Sequence, residues 1–169
     1  CRLEPLRATA VRLAAASLFE NLPCLRTVMM PSLSPDDLRA HARQARLAAR
    51  NGSLAEPTPG KAPGIVQGNL AILPADWAND FLRFCHLNQK PCPLLTVSQP
   101  GEYLLDELGG DIDVRTDVPM YRVFHEGKLT EEVPDIRHLW RDDFVAFVLG
   151  CSFSFEEALF CAGLRLRHL

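Results

Sequence analysis

The sequence predicts an α/β fold, a mixed sheet with flanking helices, and three observations support that prediction. Segments with helical spacing of apolar residues alternate with short apolar runs rich in β-branched residues. The chain has 169 residues, 47% of them hydrophobic and 23% charged, which suits one domain with a real core. Its net charge of −3 gives no strong attraction to nucleic acid, and no apolar run reaches the roughly 18 residues of a membrane span.

Residues 1–30 have the composition of a mitochondrial targeting leader. They contain four arginines, no lysine and only two acidic residues, and Arg-rich, acid-poor segments are typical of such leaders. A plain N-terminal helix or tail is the alternative. We therefore expect a leader or disordered segment over 1–30, a folded domain over 31–169, and localisation in the mitochondrial matrix.

The first helix of the domain is predicted from Pro35 to about Arg50. Ser34 is a good N-cap, proline suits the first helical position, and two acidic residues follow in the first turn. Arginines at i, i+4, i+7 and i+11 form a basic stripe along this helix: Arg39, Arg43, Arg46 and Arg50. A solvated face is the default interpretation of the stripe, and contact with an acidic partner is the alternative.

A strand over 65–73 and a helix from about Pro74 are predicted next. The strand carries Gln67 and Asn69 on one face, either as hydrogen bonders within the sheet or as ligand contacts. The helix has a face of Trp77, Phe81 and Phe84 that we expect in the core, and a short strand over 94–97 follows it.

The segment 101–143 carries 12 acidic residues against five lysines and arginines. Two strand-like pieces are expected on either side of 116–119, and a hairpin turn at 125–128 leads to a return strand over 129–133. Arg115 and Arg122 are the best carboxylate-binding candidates, because a guanidinium can pair with a carboxylate through two hydrogen bonds. An Arg–Asp structural network involving Asp113 and Asp117 is the alternative.

A helix–elbow–helix unit is predicted over 139–159. Apolar residues at i, i+4, i+7 and i+8 suggest the first helix: Trp140, Phe144, Phe147 and Val148. Gly150 would end it, and Ser154 with Glu157 has capping-box spacing for the second helix. The elbow is the segment 150–154 between the two helices, and it contains Cys151 and Ser152. Free backbone N–H groups there would suit a carboxylate or phosphate. A purely structural elbow is the alternative.

The six cysteines include no C-x-x-C pair and match no common zinc spacing, so no metal site is predicted. Buried free thiols in a reducing compartment are the expected reading. No nucleotide-binding motif is present either.

Several phrases in order along 33–169 resemble the hydro-lyase family that includes mitochondrial D-glutamate cyclase. They are Pro63-Gly64 with Gln67 and Asn69-Leu70, Phe84-Cys85 with Pro91-Cys92-Pro93-Leu94-Leu95, Asp113 through Arg122, and Trp140-Arg141-Asp142-Asp143 with Gly150 through Glu156. The resemblance implies cyclisation of D-glutamate to 5-oxo-D-proline with loss of water. No redox step occurs, so no organic cofactor is implied, and the partner is the small-molecule substrate.

This implied reaction needs a cation for one carboxylate, donors for an oxyanion and a proton carrier. Arg115 or Arg122 would bind a carboxylate, and the elbow residues Ser152 and Ser154 would hold the other. A second set completes the hypothesis: Gln67 and Asn69 would orient the substrate, Asp117 or Asp142 would carry the proton, and Cys151 is a possible nucleophile without an assigned histidine partner.

Family members continue past the position of Arg167, so we expect a fragment whose sheet is incomplete at the C-terminus. The oligomeric state and stereospecificity are left open. A non-catalytic module that binds an acidic metabolite through the same elbow is the alternative function.

Overall fold

The computed structural model describes residues 34–56, 58, 61, 62, 64–152, 154–156, 159 and 162–164. The targeting leader predicted for 1–30 lies outside these residues and stays a prediction. The described chain forms the following elements in order: α1 (Pro35–Arg50), β1 (Gly68–Pro74), α2 (Ala75–Leu87), β2 (Leu94–Val97), β3 (Tyr121–His125), β4 (Lys128–Val133), a 3-10 turn (Arg137–Leu139) and β5 (Phe144–Gly150).

Helix α1 begins as its sequence predicts. The Ser34 hydroxyl accepts a hydrogen bond from the Asp37 N–H at 3.2 Å, and the Asp37 carboxylate accepts one from the Ser34 N–H at 3.1 Å. This reciprocal capping box satisfies two N–H groups that the helix itself leaves without partners. The helix ends at Arg50, with Asn51 as its C-cap, so the predicted bounds are confirmed.

The main sheet has three strands in the order β1–β5–β2, and both pairings are antiparallel. Helix α2 packs on one face, where the Phe81 and Phe147 rings meet edge to face with centroids 5.0 Å apart. On the other face, Ala146 packs with Leu105 and Val114 in a buried cluster. The central strand β5 is therefore covered on both sides.

The helix predicted to begin at Leu139 is wrong, because the chain there forms a short 3-10 turn followed by the central strand β5. Val145, Ala146 and Phe147 are consecutive and all buried. A strand buried on both faces is a continuous apolar run, and such a run also satisfies helical spacing. Periodicity alone could not separate the two structures at this length.

Two further expectations need correction. The strand-like piece before Thr116 is mostly turns, since the N–H groups of Thr116 and Asp117 both donate to the Asp113 carbonyl. The piece after Pro119 forms β3 as predicted. In α2, only part of the aromatic face is core, because Trp77 is 64% exposed and Phe84 is 50% exposed.

Other elements follow the prediction. Strand β1 begins at Gly68, later than the predicted start, and β2 has the predicted bounds. The hairpin of β3 and β4 turns at Glu126 and Gly127, which both have positive φ. The predicted α/β fold is confirmed, with helices packed around antiparallel strands. Within the part of the chain that the structure describes, no helix has the length and apolar character to cross a membrane.

Candidate functional site

The elbow after β5 is fixed to both neighbouring strands. The Gly150 N–H donates to the Pro93 carbonyl at 2.8 Å, on the β2 side. The next N–H, that of Cys151, donates to the Gln67 carbonyl at 3.1 Å, on the β1 side. The elbow therefore lies at the end of the central strand, between the start of β1 and the segment before β2.

A helical turn follows the elbow, but it starts earlier than predicted. The Ser152 carbonyl accepts hydrogen bonds from the N–H groups of Phe155 and Glu156, both at 2.9 Å. Ser154 therefore lies within the turn, and its hydroxyl accepts the Gln67 N–H at 2.8 Å. The predicted capping partner Glu157 lies outside the described residues. Ser154 instead ties the elbow to the chain that enters β1.

A cavity of about 380 Å³ opens beside the elbow. It is lined by Val66, Lys90, Pro91, Pro93, Gly150, Cys151, Ser152, Ser154 and Phe155. We call it the elbow cavity. It gathers a cation, two hydroxyls and a thiol beside two large apolar side chains, and a small carboxylate could be held there.

Lys90 is the residue of this cavity that sequence reasoning missed. It follows α2 and precedes Pro91, in a turn with no recognisable motif. Only the antiparallel pairing of β2 with β5 brings the start of β2 to the elbow. A lysine ammonium attracts an anion as a compact point charge, so Lys90 supplies the cation that the elbow lacked.

Three of the backbone N–H groups at the elbow already have partners. The N–H groups of Gly150, Cys151 and Ser154 all donate to carbonyls of the same chain. Among the lining side chains, Lys90 carries a positive charge, and the Ser152 hydroxyl is a donor that contacts Glu156 Oε1 at 3.4 Å in this structure.

The two amide candidates differ in their surroundings. Gln67 supports the elbow through its backbone, and its side-chain Oε1 accepts the Thr58 hydroxyl at 2.8 Å. Asn69 is exposed on β1, where it lies opposite Leu149. Gln67 is thus a positioning residue of the elbow, while the structure places Asn69 outside the cavity lining.

Arg115 is held in an internal network, as its structural alternative anticipated. Its guanidinium pairs with Asp113 at 2.8 Å and lies 3.3 Å from the centroid of the Tyr103 ring. The hydrogen bond to Asp113 is the largest factor that raises the pKa of Arg115.

Asp117 is buried and paired with two arginines of α1. Arg46 reaches it at 2.8 Å and Arg50 at 2.7 Å. Burial opposes ionisation of Asp117, but the hydrogen bonds from Arg50 and Arg46 outweigh it and hold the pKa of this carboxyl below its ordinary value. A proton carrier at neutral pH needs the opposite shift.

The arginine stripe of α1 is therefore not simply a solvated face. Arg43 and Arg46 also pair with Asp111, at 2.9 and 2.7 Å, while Arg39 bonds Asp36 on the same helix. Three of the four stripe residues meet acids from the segment 111–117, so the acidic partner of the stripe is internal.

The last two candidates lie elsewhere. Arg122 is exposed on β3 and pairs with Glu132 across the hairpin at 2.7 Å. Asp142 precedes β5, so seven strand residues separate it from the elbow, a distance of about 20 Å at roughly 3.3 Å per residue. Among the described residues, Gln67, Cys151, Ser152 and Ser154 come together, and Arg115, Arg122, Asp117 and Asp142 do not join them.

The described lining of the elbow cavity contains no histidine that could activate Cys151. Across the described part of the chain, no group of three or more His, Cys, Asp and Glu side chains is arranged to hold a metal ion.

The chain is similar to several bacterial proteins that carry the name "Putative hydro-lyase". It is 63% identical over 128 residues to one from Bordetella petrii, a match that covers 76% of this chain and 48% of the relative. It is 62% identical over 132 residues to one from Bordetella pertussis, covering 78% and 48%, and 60% identical over 136 residues to one from Verminephrobacter eiseniae, covering 80% and 50%. The chain spans about half the length of these relatives. No family model matches it.

Proposed function

The chain is homologous, over about half of their length, to bacterial proteins of a hydro-lyase family, and on this premise we propose that the whole protein eliminates water from a small carboxylate substrate. The observation that carries the proposal is the identity of 60–63% over 128–136 residues. The elbow cavity supports it, because Lys90 and Ser152 line one concave site beside the strand ends.

The specific reaction that we propose is the cyclisation of D-glutamate to 5-oxo-D-proline. The deprotonated α-amine attacks the γ-carboxyl carbon, a C–N bond forms, and one carboxyl oxygen leaves as water. Negative charge develops on the remaining oxygen during the attack, so the site must supply donors aimed at that oxygen. The motif resemblance along 33–169 supports this choice of substrate.

In this proposal, Lys90 pairs with a substrate carboxylate and the Ser152 hydroxyl donates to the second one. Both side chains line the elbow cavity, and a cation beside a hydroxyl suits a ligand with two acidic ends. Gln67 acts indirectly, through its backbone bonds to Cys151 and Ser154. The proton carrier is not assigned, since Asp117 is committed to two arginines.

The alternative is a module that binds an acidic metabolite without reaction. The N–H groups of Gly150, Cys151 and Ser154 favour this alternative, because all three donate to carbonyls of the chain and are not available to an oxyanion.

The deciding experiment incubates D-glutamate with this chain and, in parallel, with the full-length Bordetella pertussis relative. We expect loss of the primary amine, measured by an amine assay, and appearance of 5-oxoproline, measured by chromatography. Lys90→Ala should lower the rate at least tenfold, which corresponds to loss of one charge-assisted contact of about 1.5 kcal/mol or more. Lys128→Ala, on the exposed hairpin, is the matched control and should leave the rate unchanged.

Binding of D-glutamate without loss of amine in both proteins would support the non-catalytic module. If neither protein binds or converts D-glutamate, the substrate assignment is wrong. Equal rates for Lys90→Ala and Lys128→Ala would show that Lys90 does not bind the substrate.

A further inference from the structure

Two free thiols lie in the chain around the elbow cavity: Cys151 lines the cavity, and Cys92 lies between Pro91 and Pro93, which also line it. Pro93 immediately precedes β2, and its carbonyl accepts the Gly150 N–H at 2.8 Å. This bond continues the antiparallel register of β2 and β5. Extended by one more residue past the ends of both strands, this register would place Cys92 opposite Cys151. Both are free thiols of intermediate exposure.

The backbone geometry suits a bond between them. The Gly150 N–H donates to the Pro93 carbonyl, and Pro93 has no N–H to return a bond. The next pair in this register would be of the non-hydrogen-bonded kind, in which Cα atoms lie about 4.5 Å apart and side chains are closest. A disulfide needs Cα atoms about 4.4–6.8 Å apart. In the extended register, the Cα atoms of Cys92 and Cys151 would therefore fall within the range for a disulfide.

A second observation places both thiols on the same face of the sheet. Phe147 of β5 contacts Phe81 of α2, so strand alternation directs Cys151 to the α2 face. Cys85 is buried on that face, and its pKa is raised first by burial and then by electrostatic interaction with Cys92. Directly opposed residues of paired strands present their side chains on the same face, so in the extended register Cys92 would also face α2, in agreement with this interaction.

We infer that Cys92 and Cys151 form a reversible disulfide by exchange with a low-molecular-weight disulfide of the glutathione class. The thiolate of one cysteine attacks the small disulfide, which forms a mixed disulfide and releases one small thiol. The second cysteine thiolate then attacks the protein sulfur of the mixed disulfide, forms the intramolecular bond and releases the second small thiol. The small disulfide accepts the two electrons, and the protein loses two protons.

This bond would join the entry of β2 to the elbow. Cys151 lines the elbow cavity with Lys90 and Ser152, so oxidation would change a wall of the cavity and restrain the adjoining turn. The inference concerns thiol chemistry alone and does not depend on hydro-lyase activity.

The test treats the reduced chain with oxidised glutathione and maps the products by chymotryptic digestion and mass spectrometry. Chymotrypsin can cut between Cys85 and Cys92 at Leu87 and after Cys151 at Phe155, so each thiol is reported by its own peptide. We expect a Cys92–Cys151 peptide pair, 2 Da lighter than the sum of its parts and lost on treatment with dithiothreitol.

Cys92→Ser and Cys151→Ser should each abolish the pair and leave a glutathione adduct on the remaining thiol. Cys85→Ala is the matched control, and it should form the pair at an unchanged rate. The inference is overturned if wild-type chain gives only glutathione adducts. It is also overturned if the pair appears only in dimers whose yield falls on dilution, since that bond is intermolecular.

Discussion

At the scale of single residues, Asp117 shows how this chain stabilises a buried charge. Its side chain is 3% exposed and receives bonds from two guanidinium groups, and the Thr116 hydroxyl and the Asp113 N–H also donate to it. Each donor offsets part of the cost of removing the carboxylate from water. The network fixes the segment 111–117 against α1.

Asp117→Asn should lower the free energy of unfolding by about 3 kcal/mol, because Arg50 then loses its carboxylate partner and Arg46 keeps only Asp111. Urea denaturation followed by circular dichroism measures the change. Asp106→Asn, at an exposed position of the same acidic region, is the control and should stay within about 0.5 kcal/mol of the parent. A matching small effect for both variants would show that the network contributes little.

The contacts of a residue could be predicted from the sequence when its partners lie close to it along the chain. The Ser34 cap was predictable because both partners lie within one turn. Lys90 was not, because its place in the elbow cavity depends on strand pairing between β2 and β5. Arg115 has the same chemistry whether it binds a ligand or Asp113, so only the fold distinguishes the two.

At the scale of elements, β5 organises the molecule, and the sequence was misleading there. Its side chains pack on both faces of the sheet, against α2 on one face and against Leu105 and Val114 on the other. The resulting run of apolar residues lacks the alternation that identifies a half-buried strand. Elements with one buried face, such as α2, or with local caps, such as α1, were located correctly.

The close contact between β1 and β5 at Gly68 leads to a test of this pairing. A Cβ atom at Gly68 would lie 2.6 Å from Val148 Cγ1 and 3.3 Å from the Leu149 carbonyl oxygen. Gly68→Ala should therefore destabilise the chain by about 1–3 kcal/mol, the usual cost of overpacking. Thermal or urea unfolding measures this.

Gly110→Ala provides the control for that substitution, since nothing lies within 4 Å of a Cβ atom there. It should change stability by less than about 0.5 kcal/mol. Equal stability of the two variants would mean that β1 does not pack against β5 as closely as the structure indicates.

At the scale of the whole molecule, the described chain leaves apolar surface and sheet edges open. Trp77, Phe84 and Leu87 on α2 are all at least half exposed, and β1 and β2 each pair with one neighbour only among the described strands. The relatives are about twice as long as the matched segment. Sequence periodicity marks these residues as apolar but cannot show which apolar faces are covered, because coverage depends on contacts beyond the element itself.

Charge, more than apolar packing, joins α1 to the rest of the described molecule, and this gives the attachment a pH dependence. In α1 only Ala49 is buried. The helix instead forms ion pairs with Asp111 and Asp117 of the segment 111–117, through Arg43, Arg46 and Arg50. Hydrogen bonds from Arg46 contribute most to the lowered pKa of Asp111, and the pKa of Asp117 is also below its ordinary value of 3.8.

A carboxyl whose pKa is lowered by folding stabilises the fold at pH values above its unfolded pKa, and that contribution is lost as the pH falls through the folded value. Stability should therefore be constant between about pH 6 and 5 and then fall towards about pH 2. Hydrogen exchange should show α1 losing protection before the main sheet. Urea midpoints of the parent and of Asp117→Asn should converge as the pH falls, because protonated Asp117 no longer differs in charge from asparagine. A gap between the two that persists at about pH 2 would mean that Asp117 stabilises the fold through its shape and hydrogen bonds, not through its charge.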